Sequence, residues 1–513
     1  MDLTVRLKLS LMMFVQFFVW GCWYVTMGSY LGTGLGFSGA AIGAAYSTTA
    51  LGAIISPFFV GMIADRFFSA ERILGVLHLV GAVLMYLVTR ITDQDIFFWV
   101  LLAYTLCYMP TLALVNAIAF YQMKDPAREF PGIRVVGTLS WIAAGLLITL
   151  LENLGSKGIE ATVLPFKLAV GASLVMGLYS FVLPHTPPKS LGKKVTMRDV
   201  LGLDALALMK ERSFLVFTLG SLLICIPLQF YYGSANLFLN ELGMTGVAGK
   251  QTMGQMSEIF FLLVMPFFLV RLGVKYMLLV GMLAWVTRYF LFAFGGLDVS
   301  IIWMLYLGII LHGVCFDFFF VTGQIYVDKK APKEIQANAQ GFIALITYGI
   351  GMFIGTYVMG AVLAGNTFSA PGHLTVSQGP ENSLTGSWTS GDTTTEPKDL
   401  QFLDGVLKFS RQVEYQGKPY SVTFEGRLEG DSIAGKVTGD MGDLPVSAKR
   451  AAADAPELAE TAGIVGGWDF TAVHWWRSIW LVPAVMALVV MIGFALLFNE
   501  KNNRTKSAAA GES

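Results

Sequence analysis

The chain alternates long apolar runs with short polar breaks. Twelve runs can be marked, at 9–31, 40–64, 73–88, 97–120, 133–151, 164–183, 214–239, 254–270, 276–294, 301–321, 338–363 and 476–498. Most are near 20 residues, the length a helix needs to cross roughly 30 Å of hydrocarbon. Six runs precede 184–213 and six follow it. That stretch contains HTPPKSLGKKVTMRDV, a basic linker with a Pro pair. The pattern predicts an all-α polytopic membrane protein. Twelve transmembrane helices fall in two six-helix halves: 1–183, then 214–364 with a final helix at 474–498. A polar tail, 499–513, closes the chain.

One segment breaks the rhythm. Residues 365–473 hold no apolar span and are rich in Gly, Ser, Thr and Asp. Tyr420, Val422 and Phe424 alternate with polar residues, the period of a half-buried strand. Turn signals surround them, among them Glu429-Gly430-Asp431. Strands are expected near 406–413, 420–428, 432–438 and 444–449. Together they make a small β-meander or barrel of about 70 residues between helices 11 and 12. Flexible flanks are expected at 368–382 and 451–463.

Composition agrees with a bilayer. Of 513 residues 55% are hydrophobic and only 14% charged, where a soluble domain carries about 25% charged. The first run is longer than a signal-peptide core and reads as a retained helix. Basic residues set the orientation. With the N-terminus inside, the inner loops and termini carry twenty Lys and Arg; the short outer loops carry only Arg90, Lys157, Lys167 and Lys250. Both termini are therefore expected in the cytoplasm and residues 365–473 outside. The formal net charge of zero points to no nucleic-acid partner. Four cysteines, all inside apolar runs, read as small hydrophobes, and no metal-ligand spacing is visible.

Polar residues inside the spans are the candidate chemistry, because ionised groups in hydrocarbon cost about 2.5–3.5 kcal/mol each on insertion scales. The organising stretch is GQMSEIFFLLVMPFF, with Gln255 and Glu258 on one helix face. Arg134, Thr138 and Trp141 share a face at i, i+4 and i+7. Gln229, Tyr231 and Tyr232 follow Pro227, where the missing N–H invites a kink. His312 and Phe316 share a face, with Asp317 beside them. One cation, two acids, two amides and several rings suit a flat solute bearing hydroxyls. Each has a structural alternative. Glu258 or Asp317 could pair with Arg134 or Arg288, and Arg134 could snorkel to the interface. Trp141 and Phe316 could be ordinary packing, and His312 a satisfied bundle histidine. Arg288 and His78 read as structural.

Two resemblances sharpen this. The turn GMIADRFFSAER places Gly61, Asp65, Arg66 and Arg72 in a pattern that resembles the cytoplasmic gate motif of the major facilitator superfamily. That resemblance implies a major facilitator fold whose halves rock about a midplane site. Further strings are similar to the bacterial nucleoside:proton symporters of that superfamily. They are QFFVWGCWYVTMGSY, YMPTLALVN, PGIRVVGT, LGLDALALMK, QMSE, FDFF and ANAQG, in that order. The match covers both membrane halves and leaves out the insertion.

The resemblance implies nucleoside uptake by proton symport at an inner membrane, with protons as the coupling ion and no other cofactor. It places substrate contacts on Arg134, Thr138, Trp141, Gln229, Gln255, Glu258 and Phe316, and a coupling acid on Asp317. Tyr232 stands where Asn is expected and His312 where Tyr is expected. Trp141 replaces a smaller aromatic. Tyr232 and His312 are kept in the substrate set, and Glu258 is kept as a second coupling group. A sugar or another ribosylated solute is the alternative cargo; a membrane receptor using the β-insertion is the alternative class. The insertion is expected as a passive cap or as a contact for an envelope or glycan partner. No helix pair presents a nucleophile with a base, so an enzyme is not expected.

Overall fold

The computed structural model describes residues 1–59, 68–155, 158–187, 203–369, 371–379, 383–391, 393–415, 418–439, 442–451 and 464–499. Among the described residues eleven long apolar helical elements carry the body: α1 (Leu3–Gly34), α2 (Gly39–Phe59), α3 (Ala70–Val88), α4 (Gln94–Gln122), α5 (Pro126–Asn153) and α6 (Leu164–Ser180). After the linker come α7 (Arg212–Glu241), α8 (Val247–Phe294), α9 (Ile302–Lys330), α10 (Asn338–Gly365) and α11 (Trp476–Leu497). Among the described residues ten of these are long and apolar enough to cross a membrane. α8 has 48 residues, about 70 Å if straight. It is not straight: Gly273, at φ +70° and ψ 173°, breaks it in two. That conformation is open to glycine at little cost.

Helix starts follow local chemistry. Asp93 caps α4, its Oδ1 accepting from the backbone N–H of Asp95 (3.0 Å) and Ile96 (2.9 Å). Asp2 does the same for α1 through Thr4. Outward faces stay apolar: Leu263, Val270 and Leu496 are more than 70% exposed, as suits lipid rather than water. Inside, a buried polar network ties four helices. Gln16 donates to Thr111 (2.7 Å), His78 sits 2.8 Å from Gln16 Oε1 and 3.3 Å from Ser173, and Tyr108 donates to the Gln16 carbonyl. His78 is thus saturated by structural partners.

Among the described residues the β-stretch is one antiparallel nine-stranded sheet, ordered β4-β3-β2-β10-β9-β8-β7-β6-β5. Its strands are β2 (Gly372–Gln378), β3 (Leu384–Ser390), β4 (Thr393–Thr395), β5 (Lys398–Leu403), β6 (Val406–Tyr415), β7 (Lys418–Glu429), β8 (Ser432–Gly439), β9 (Gly442–Arg450) and β10 (Gly466–Phe470). A separate pair, β1 (Thr367–Ser369) with β11 (Val473–His474), ties its two ends together. The β5–β6 hairpin turns on Asp404-Gly405, both at positive φ, the geometry that matches strand twist. Leu407, Phe409, Val413, Val422, Phe424, Trp468 and Phe470 fill its interior. The expectation of a flexible flank at 368–382 is corrected. Phe368 lies in β1, and Leu374 and Val376 are buried in β2, paired on both sides by β3 and β10. The alternation there is short and diluted by Gly, Ser and Thr, so it did not register as a strand.

Gly61, Asp65 and Arg66 lie outside the described residues. Arg72 sits exposed on the first turn of α3. Its neighbour Glu71 makes the contacts, accepting from Thr186 N–H at 3.0 Å and lying 2.9 Å from His185 Nδ1.

Candidate functional site

The site forms where α8 and α9 cross closely. A Cβ on Gly313 would lie 2.5 Å from the Ser257 carbonyl carbon, and one on Gly254 would lie 3.0 Å from His312 Cβ. Glycines are what let the two backbones touch. The crossing is pinned by Ser257, whose hydroxyl donates to the Ile310 carbonyl (2.6 Å) and accepts from Gly313 N–H (3.0 Å). This puts His312 Nε2 4.0 Å from Glu258 Oε2. Glu258 keeps 22% of its side chain exposed, so it faces an open space rather than packed helix.

Aromatic rings wall this space. His312 stacks on Tyr231 (5.2 Å) and meets Tyr232 (6.1 Å) and Phe316 (6.1 Å). Tyr232 reaches Tyr24 on α1, 6.0 Å away. Phe316 leads through Phe320 to Tyr348 on α10. From the other half, Arg134 folds back over the Phe17 ring at 4.2 Å, permitted by Gly137, whose Cβ would crowd both groups. Arg134 is near enough to Glu258 for the two charges to interact. Trp141 packs against Trp20, ring centres 5.7 Å apart.

The polar atoms are under-used by the protein itself. Among the described residues, neither amide atom of the buried Gln229 has a hydrogen-bond partner of good geometry, nor does His312 Nδ1. Asp317 is 1% exposed, its Oδ2 without a partner among the described residues, on a wide π turn, Asp317–Val321. Such turns recur at functional positions. Buried polar groups without partners are costly unless something else satisfies them. Among the described residues neither Glu258 nor Asp317 forms an ion pair with an arginine. Arg288 instead stacks on Tyr231 (4.1 Å) and donates from Nε to the Gly308 carbonyl (3.0 Å).

The structure therefore brings Glu258, His312, Tyr232 and Phe316 into one wall, with Arg134 within electrostatic reach. Asp317 is one residue deeper, close enough to interact with Glu258. Thr138 and Gln255 are half-exposed on α5 and α8. Tyr24 and Tyr348 were not singled out from sequence, since a tyrosine in an aromatic-rich span gives no signal of its own.

A second cluster, also missed, joins the two halves at one end. Glu160, in the short turn Ile159–Ala161, is 1% exposed. It accepts from Ala248 N–H (2.7 Å), Asn236 Nδ2 (2.7 Å) and Asn240 Nδ2 (3.1 Å). Ser29 donates to Asn236 (2.6 Å), and Gly246 and Gly249 N–H donate to Glu152 and Thr149. Seven side-chain hydrogen bonds in this cluster join 1–187 to 203–365. Burial pushes the Glu160 carboxyl above its ordinary range, and the nearby Glu152 charge adds to this.

A helical body with lipid-facing apolar surfaces and a polar, ring-lined space where its halves meet defines a membrane transporter. Residues 1–376 match the family described as Nucleoside H+ symporter, and the chain belongs to that family. It is a transporter and not an enzyme. The chain is 47% identical over 384 residues to YegT of Escherichia coli (strain K12), whose name provisionally assigns a nucleoside transporter. That match spans 74% of this chain and 88% of YegT. It is 34% identical to the xanthosine permease of the same organism, over 72% of this chain and 90% of that one. The crystal structure of the nucleoside transporter NupG superposes with a TM-score of 0.70 at 26% identity, covering 97% of this chain and all of that one.

Proposed function

We propose that this chain imports nucleosides together with protons by alternating access, with Glu258 at the centre of the site. The observation that carries this is the Glu258–His312 pair set among Tyr231, Tyr232 and Phe316. A nucleobase is flat and stacks on such rings; its ribose hydroxyls donate to a carboxylate and bond to amides such as Gln229 and Gln255. Arg134 supplies a forked donor, with Thr138 and Trp141 on the same helix face. Asp317 takes the proton: a neutral carboxyl crosses an occluded, dry state at less cost than a bare charge.

In this reading Gly273 divides α8 into two spans, giving twelve in all, and the β-sheet lies between the last two on the outer side, with both termini inside. The support is the distribution of basic residues and the helical break. The Glu160 cluster is then the outer gate, drawn closed, and Arg72 belongs to the inner one. The outer β-sheet is also open to an envelope or glycan partner, on the strength of its placement. Each proton moved inward supplies about 2.3 kcal/mol per 100 mV, so uptake should follow the proton gradient. Accumulation of labelled uridine in proteoliposomes tests the proposal.

A further inference from the structure

Arg288 is wholly buried in α8, beyond the Gly273 break. A cation there is costly without a counter-charge. Among the described residues no acid pairs with it, and neither Nη atom has a hydrogen-bond partner of good geometry. Its contacts go to two groups instead. Nε donates to the Gly308 carbonyl at 3.0 Å, and the guanidinium lies over the Tyr231 ring at 4.1 Å.

Both groups lead to His312. Gly308 precedes it by four residues, one helical turn, so its carbonyl is the one a regular helix would give to His312 N–H. The helix is interrupted there. One segment ends at Ile310, Leu311 has ψ −7°, and the next segment starts at His312. Two side chains from α8 bond the backbone on either side of the interruption. Ser257 donates to the Ile310 carbonyl and accepts from Gly313 N–H, and Arg288 holds Gly308. The second group, Tyr231, is the ring on which His312 stacks, at 5.2 Å and 23°. Arg288 therefore grips both the turn before His312 and the ring His312 lies against. His312 in turn keeps Nε2 4.0 Å from Glu258. We infer that Arg288 is a positioning residue for transport: it touches no solute, and fixes the His312 imidazole in the orientation that faces Glu258. The inference rests on the reading of His312 as part of the nucleoside site. A planar guanidinium can stack and donate from Nε at once, which an ammonium does not do.

A double-mutant cycle tests this through KM for labelled uridine uptake into proteoliposomes. Arg288→Met should raise KM about tenfold, with the maximal rate within about twofold. In a His312→Phe background the same change should add less than about twofold, because the imidazole it positions is gone. An equal factor in both backgrounds would mark Arg288 as merely structural and overturn the inference. Arg288→Lys keeps the buried charge and loses the stacked plane. It should raise KM in the same direction, and it serves if Arg288→Met does not fold. A second measurement is independent of the cargo. The chain has five histidines, so solid-state NMR of protein labelled with ¹⁵N-histidine in liposomes resolves the His312 ring signals, identified by their loss in His312→Phe. They should shift or split in the Arg288 variant that folds while the other histidines stay in place. If the unaltered protein carries no uridine, the nucleoside reading fails and this spectrum still decides the inference: unchanged His312 signals would overturn it.

Discussion

Glu258 and His312 approach to 4.0 Å, Oε2 to Nε2, across a helix crossing that glycines 254 and 313 make possible. The pair joins an acceptor-only group to a ring that still has Nδ1 unpartnered. Two neighbouring side chains from different helices thus offer acceptor and donor to one solute.

Replacing Glu258 with Gln tests the acceptor. The variant keeps shape and loses charge-assisted hydrogen bonds, worth about 1.5–3 kcal/mol. Uptake efficiency should fall roughly 10- to 100-fold, measured as initial rates of labelled uridine entry. A rate within twofold of the unaltered protein would place Glu258 outside the site.

Asp317→Asn separates coupling from binding. Asp317 is buried with one oxygen unpartnered, and Asn mimics its protonated form. The variant should still exchange internal for external nucleoside but lose accumulation driven by a pH gradient. Accumulation at the unaltered level would remove Asp317 from the mechanism.

Glu160 predicts a pH response of the outer contact. Its carboxyl is raised where it is buried between the halves, so that closed state binds a proton more tightly than a state in which Glu160 meets water. The closed fraction should therefore grow as pH falls toward that raised value and shrink as pH rises. Spin labels on exposed Leu154 and Val299, read by pulsed electron resonance, report the distance between halves. The short-distance population should increase on acidification, and Glu160→Gln should reduce that increase. An acid response of undiminished size in Glu160→Gln would contradict this assignment.

The β-sheet is tied at its neck by Thr367 opposite His474. Trp475 N–H donates to the Asn366 carbonyl at 2.9 Å. His474 and Trp476 both bond Glu241, at the end of α7. Excising 371–471 and bridging the neck with a short Gly-Ser link should leave the helices in place. Uptake should remain within about twofold of the intact protein, a tolerance expected of a surface insertion. A folded, membrane-inserted variant without uptake would favour the receptor reading, in which the sheet itself receives the ligand.

The helical body was legible because hydrocarbon demands long apolar runs, and Glu258, His312 and Asp317 stood out because charge and polarity are rare there, with Phe316 read only from its shared face with His312 and from the family resemblance. The Gly273 break coincides with the polar gap, holding Arg271 and Lys275, between two apolar runs of the sequence. What the sequence hid depends on long-range meetings. Glu160 looks like a loop acid until Ala248, Asn236 and Asn240, some 80 residues on, converge upon it. Strand β2 gains its order from β10, which lies about 95 residues later. Arg411 reads as one more polar residue of a strand until the curl of the sheet sets it over Trp388.

On the function proposed above, the Glu258–His312 wall serves proton-driven nucleoside import. Uptake of labelled uridine and adenosine into proteoliposomes under an inward proton gradient, with and without a protonophore, tests it most directly. Accumulation that collapses on adding the protonophore is the predicted result. Accumulation that is indifferent to it, or no entry of either nucleoside into vesicles holding folded protein, would contradict the account and bring sugars and other ribosylated solutes forward.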